Sequence, residues 1–244
     1  MIQDGVIDVV AHRRAGLLVA VLVITSVVAI IGGLLWPEPA TGDWYRYGDI
    51  APIRDRWWVL LTVLSISLVL NVPAQALAAV LLSRHRGAGW TTVGAGLMWL
   101  GTGLYAVGVA GWASIYYFAT DPMLDPASGT RLLDRVGQDP RLFAVAIPGA
   151  VLVALGTVVQ AVGLLRSHAL PRWVPILSLA IVLTFVVPGS GTAGALVGIP
   201  VAAAGIAIGY YAWRRTGSQT ASLRRKALTG SRQIGAPLQG RSNA

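Results

Sequence analysis

Cysteine is absent from the 244 residues. Disulfides, thiol catalysis, iron–sulfur clusters and cysteine-ligated zinc are therefore excluded. Charge is scarce as well: Asp, Glu, Lys and Arg make up 12% of the chain, against about 25% in soluble domains. Lysine occurs once, at Lys226, and glutamate once, at Glu38. Apolar residues fill the space, at 55% of the chain, and the mean hydropathy is +0.66. Such a chain exposes more apolar surface than water tolerates unless lipid covers it. Nine tryptophans suit a molecule with rings at a headgroup boundary.

A membrane-spanning helix needs about 20 apolar residues. Six stretches answer to that description: 15–36, 57–82, 90–119, 142–165, 173–188 and 191–213. None carries Asp, Glu, Lys or Arg inside its apolar body. The expected fold is all-α, a polytopic bundle of six transmembrane helices. The fifth stretch is short, and Pro188-Gly189-Ser190-Gly191 after it makes a tight turn. Six crossings return the chain to its starting side. That side carries 13 of the 19 basic residues, seven of them from Arg214 onward, against six on the other side. By the excess of basic residues on cytoplasmic loops, both termini are expected in the cytoplasm and the protein in the cell (inner or plasma) membrane. The net charge of +9 then reflects topology and attraction to anionic lipid on the cytoplasmic side, and nucleic-acid binding is not needed to explain it. Residues 1–14 repeat Ile2, Val6, Val9 and Val10 at helical spacing and read as an amphipathic segment along the inner surface. The first apolar run is too long for a cleaved signal peptide. Residues 214–244 are basic and polar and are expected to be a disordered cytoplasmic tail.

Within the spans, Ser67, Asn71 and Gln75 recur every four residues, so they share one face of the second helix. Pro73 frees the Val69 carbonyl beside them. Polar groups in hydrocarbon must find partners, so this face turns toward another helix or a wet cavity. Gln160 of the fourth helix is a candidate partner. In the third helix Gly94, Gly101 and Gly108 stand seven apart, and Tyr105, Trp112 and Tyr116 follow on nearly the same face. Gly96, Gly103, Ala110 and Ser114 line the opposite face. Small residues on both sides suit a central helix, and the aromatic residues suit either packing or a pocket for a lipophilic or cationic ligand. Gly194, Gly198 and Ala202 give the sixth helix a small-residue contact face. The run Gly189–Gly194, GSGTAG, has the spacing of a dinucleotide loop but no strand or βαβ unit around it, so no cofactor is assigned. Asp4, Asp8 and His12 share helical spacing without a closed ligand set, so no metal is assigned.

The stretch TGDWYRYGDIAPIRDRWW, residues 41–58, falls in the first outer loop. Trp36, Trp57 and Trp58 match an interfacial aromatic belt. Trp44, Tyr45 and Tyr47 lie where they either complete a collar or fold back as a lid. In the second outer loop, Asp125 reads as the cap of a short surface helix with Leu132, Leu133 and Val136 on its apolar side. Asp139 reads as the cap of the fourth span and Asp55 as that of the second. Glu38, Asp43, Asp49 and Asp55 are the carboxylates available for acid catalysis at the outer face.

Six spans, two long outer loops and LPRWVPIL (Leu170–Leu177) at the start of the fifth span resemble bacterial six-helix membrane proteins of an uncharacterised family. The Ala-, Val-, Gly- and Arg-rich usage looks actinobacterial. The resemblance implies a six-helix bundle and brings no chemistry to any residue. Without intramembrane charge, ion-coupled pumping is disfavoured. The expected function is binding of a lipid, a lipophilic small molecule or a partner helix within the bundle. The alternative is a membrane-embedded enzyme on an isoprenoid-like substrate, with a carboxylate as acid and aromatic rings stabilising a cation.

Overall fold

A computed structural model describes residues 2–40, 45–83, 85–137, 139–185 and 191–234. The architecture is helical, with no strand among the described residues. In chain order the helices are α1 (Ile2–Leu34), α2 (Tyr47–Ile50), α3 (Arg54–Leu82), α4 (Ala88–Ala119), α5 (Pro126–Gly137), α6 (Ala146–Ser167), α7 (Trp173–Ser178), α8 (Ala180–Leu183) and α9 (Gly191–Ile234). Short 3-10 turns precede α3, α4 and α6.

Among the described residues, five segments are long and apolar enough to cross a membrane: His12–Leu34, Tyr47–Leu82, Ala88–Ala119, Ala146–Ser167 and Leu196–Ser218. They carry the first, second, third, fourth and sixth expected spans. The fifth differs. Two short helices occupy Trp173–Leu183, and at 1.5 Å per residue they reach about 16 Å, half of a bilayer's hydrocarbon. The Pro188–Ser190 part of the expected turn lies outside the described residues. Two other boundaries also move. α1 is one helix from Ile2, with no break at residue 14. α9 runs on to Ile234, so the expected tail begins as helix, its Ala, Leu, Arg and Lys content being good helix-forming material; residues 235–244 lie outside the described set.

The closest packing joins α4 to α6, and glycine makes it possible. Gly94 and Gly101 of α4 meet Gly156 and Gly149 of α6 at seven-residue steps, and Gly87 and Gly163 extend the series. A methyl group on Gly101 would sit 2.6 Å from the Val153 nitrogen and 2.7 Å from the Gly149 oxygen. The seven-residue period keeps both glycine rows facing each other along the contact. The opposite face of α4 is not a contact: Gly96, Gly103 and Gly111 have nothing within 4 Å, and Trp99 and Val107 beside them are exposed. The central position expected for this helix is thereby corrected. Its second face is open to the surroundings, where lipid supplies apolar contact as well as a neighbouring helix does.

α1 and α9 run antiparallel. The His12 ring stacks on Trp213 at 5.5 Å, and Gly209 lies against Val19 and Leu22. Three buried clusters order the bundle. Leu82, Leu164, Val174 and Ile208 fill the end near His12. Val72, Met98, Val153 and Ile181 fill the middle. Ile50, Trp57, Leu61, Tyr116 and Leu133 fill the far, aromatic end.

Two loop caps fall elsewhere than expected. Asp139 accepts from the Arg141 N–H at 2.9 Å and caps the turn Pro140–Phe143, while α6 begins later, after Val145. Asp55 makes no capping hydrogen bond, because the turn Ala51–Ile53 leads straight into α3 and places Asp55 inside the first helical turn. Asp125 does start α5, accepting from Ser128 N–H at 3.1 Å. On that helix Leu133 is buried and Leu132 is exposed.

Candidate ligand cavity and its aromatic roof

Below the aromatic end, the helices part around a cavity of about 520 Å³. That size falls within the usual range for small-molecule sites, about 300–1,000 Å³. Its walls come from α1 (Ser26, Ala29, Gly33), α3 (Leu64, Ser65, Ser67, Asn71), α4 (Tyr105, Gly108, Trp112), α6 (Ala146, Ala150), the α8 end (Thr184, Phe185) and α9 (Gly194, Gly198, Val201, Ala202). No charged residue lines it among the described residues. An ionised ligand would lose its hydration there without a counter-charge, so the chemistry favours a neutral one.

The small-residue face of α9 has two jobs along its length. Gly205 and Gly209 lie against Gln75, Leu22 and Val19. Gly194, Gly198 and Ala202, expected to be a packing face, border the cavity instead. Gly198 has open space around it.

One wall is polar and internally bonded. Ser67 Oγ donates to the Thr25 carbonyl at 2.9 Å. Asn71 Nδ2 donates to Thr25 Oγ1 at 2.7 Å and Ser26 Oγ at 3.3 Å. The polar face of α3 therefore joins two helices and borders the cavity as well. Ser65 Oγ is buried without a partner, and so is the Trp112 indole N–H. Both residues line the cavity, and a buried donor left unpaired costs about 1–3 kcal/mol. Tyr105 stands edge-on to Phe185 at 5.4 Å.

The roof is built by the first long loop. The Trp36 indole N–H donates to the Tyr45 hydroxyl at 2.6 Å, and that hydroxyl donates to the Pro37 carbonyl at 2.6 Å. Tyr116 donates its hydroxyl to the Tyr45 carbonyl at 3.1 Å. The Tyr45 ring lies 4.7 Å from Trp57 and 6.1 Å from Trp112. Burial raises the Tyr45 phenol above its ordinary pKa of 10.0, so it remains a neutral donor. Trp57, expected in a belt, is fully buried under this loop, whereas Trp58 is 41% exposed and keeps a belt position. Tyr45 thus folds back over the helices. The entrance to α3 is tied down nearby: Arg54 bonds Asp121 and the Tyr117 carbonyl, both at 2.9 Å, and its guanidinium covers the Tyr117 ring at 3.7 Å.

Of the candidate pocket residues, Ser67, Asn71, Tyr105 and Trp112 meet at the cavity. Tyr116 belongs to the roof. Gln75 and Gln160 lie outside the lining, buried in the packed half of the bundle. Gln160 Nε2 donates to the Ala76 carbonyl at 3.4 Å, not to Gln75, and Gln75 Oε1 has no partner. Of the candidate acids, Glu38 is exposed. Asp49 accepts from the Arg46 N–H at 2.9 Å. The Asp55 side chain is 83% exposed and 3.7 Å from Arg54. None of these three borders the cavity; Asp43 and Trp44 lie outside the described residues. Among the described residues, no three His, Asp or Glu gather as metal ligands.

Sequence reasoning passed over Ser26, Ser65, Phe143 and Phe185, and gave Trp57 a belt position. A signal existed for the first: Thr25-Ser26 is the polar pair in the otherwise apolar stretch 15–36. Phe185 lies in the short fifth stretch, 173–188, which showed no face to assign it to.

Five long apolar helices around a partly open cavity mark a multi-pass helical membrane protein. No family model matches the chain, and neither a curated protein nor a solved structure matches it.

Proposed function

We propose that the protein binds a neutral, lipophilic small molecule or lipid tail inside its bundle, beneath the Tyr45 roof. The observation that carries this reading is the cavity of about 520 Å³, with no charge among its described lining residues and bordered by Trp36 and Trp112, which the Tyr45 loop packs against. We further infer that the chain crosses the cell membrane an even number of times with both ends in the cytoplasm, as the distribution of arginine favours. The acid-catalysis alternative needs a carboxylate at the cavity, and none of the described candidates borders it.

Ala150 lines the cavity and is half-buried, so Ala150→Trp fills the space while disturbing little else. Protein purified in detergent, extracted with organic solvent and analysed by mass spectrometry is expected to yield one enriched lipophile near one per chain. The filled variant is expected to lose it while keeping its melting temperature within a few degrees. Equal lipophile content in both proteins would refute the reading.

A further inference from the structure

The opposite end of the bundle holds a second hollow, of about 890 Å³, that the cavity reading does not use. Four arginines border it from three separate elements. Arg86 comes from the turn after α3, Arg166 from the last turn of α6, and Arg214 and Arg215 from α9. His168 joins them from the end of α6, in the left-handed conformation (φ 48°) that more often falls to glycine. Among the described residues, no carboxylate lines the hollow.

Four like charges around one depression repel each other, and water screens them only in part. Helix C-terminal carbonyls offset some of the charge. Arg215 is accounted for in this way, since its Nη1 donates to the Leu82 carbonyl at 2.6 Å. Arg166 is steadied by the Trp90 ring, 4.9 Å from its guanidinium. Neither contact neutralises charge. Among the described residues Arg86, Arg166 and Arg214 have no acidic partner. Ala169 and Tyr211 add apolar surface to its lining. Clustered guanidinium groups beside apolar surface at the end of a membrane bundle match a phosphate joined to a glycerol and acyl chain.

We propose that this hollow is a binding site for a phosphate-bearing anion, the headgroup of an anionic phospholipid. It rests on the membrane reading above but not on the cavity. Full-length protein in a lipid-poor maltoside detergent would be titrated with dioctanoyl phosphatidylglycerol, dioctanoyl phosphatidylcholine and inorganic phosphate, followed by tryptophan fluorescence. Saturable binding of phosphatidylglycerol, well above phosphatidylcholine, is the expected result. Arg166→Ala/Arg214→Ala is expected to weaken it about thirtyfold, from about a fivefold effect per arginine near a phosphate. Arg166 and Arg214 are both exposed, so the double variant keeps the fold, and its melting curve checks this. Arg13→Ala/Arg14→Ala removes the same charge at the same end outside the hollow and is expected to change affinity less than threefold. Inorganic phosphate that displaces the lipid with the same variant dependence would uphold the site and make a soluble phosphate its occupant. Equal losses in the two double variants, or phosphatidylcholine matching phosphatidylglycerol, would overturn the proposal. Ala150→Trp is expected to leave this binding intact, so failure of the cavity reading would register separately.

Discussion

Tyr45 ties the first loop to α3, α4 and the segment just after α1 through its hydroxyl, its carbonyl and its ring. Its hydroxyl accepts from Trp36 and donates to Pro37, its carbonyl accepts from Tyr116, and its ring meets Trp57 and Trp112. If the roof holds the ligand in, Tyr45→Ala should speed ligand release more than it slows capture, raising the dissociation rate about tenfold or more. Stopped-flow displacement by a competing lipophile measures both rates, and an unchanged dissociation rate would show that the roof is not the gate. A second local effect is electrostatic and belongs to the loop outside the spans. The Arg141 guanidinium bonds both Asp139 oxygens, at 2.7–3.2 Å, and holds that carboxyl down from 3.8 to about 2. A lowered folded-state pKa means that the pair stabilises the fold fully above about pH 4, and that this support is lost as pH falls through 2. The pair is exposed, so screening keeps its contribution small. Carboxyl carbon shifts are expected to titrate near 2 in the native protein and to move up toward 3.8 after Arg141→Ala, stopping short of it because the backbone N–H of residue 141 still donates to the carboxylate.

The α4–α6 contact makes the sharpest claim about helix packing. On α4, Gly101 faces backbone atoms of α6 while Gly103 faces open space. Backbone moves less readily than a side chain end, so Gly101→Ala is expected to cost about 1–3 kcal/mol by overpacking. Gly103→Ala should be neutral or stabilise by up to about 1 kcal/mol, since alanine is the better helix former. Thermal melts in one detergent compare the two directly, and equal effects would contradict the packing. The same helix shows why some of the fold was legible in the chain and some was not. Gly94, Gly101 and Gly108 announce a contact face by their period, but so do Gly96, Gly103 and Ala110. Only the partner's own row, Gly149, Gly156 and Gly163, tells the real face from the idle one. In the same way the four-residue period of Ser67, Asn71 and Gln75 locates a polar face of α3. It does not reveal that the upper two bond Thr25 and Ser26 beside a cavity while Gln75 lies lower, against Gly205. Periodicity reports which residues share a face; what the face meets depends on where two distant helices diverge. The roof was harder still, because Tyr45 and Trp57 are as suited to a lipid interface as to a buried cluster.

The disposition of the termini follows from how the first and last long helices meet. Five long apolar helices, counted alone, would leave the two ends of the chain on opposite sides of a bilayer. The packing of α1 against α9 argues otherwise. His12 stacks on Trp213, its Nδ1 lies 3.3 Å from Thr216 Oγ1, and Gly16 also meets the Trp213 ring. The start of the first span and the end of the last therefore share one end of the bundle. α7 and α8 leave the arginine-rich end and bring Phe185 to Tyr105, about midway along α4. This geometry and the arginine distribution both favour the even number of crossings proposed above. The absence of native cysteine makes the test clean, because every labelled thiol is an introduced one. Met123 is 94% exposed in the second long loop, and Arg14 and Ser218 are exposed at the other end. On intact cells, a membrane-impermeant maleimide should label Met123→Cys and should reach Arg14→Cys and Ser218→Cys only after permeabilisation. Labelling of Ser218→Cys but not Arg14→Cys from outside would mean an odd number of crossings, and the antiparallel α1–α9 pair would have to be abandoned with it.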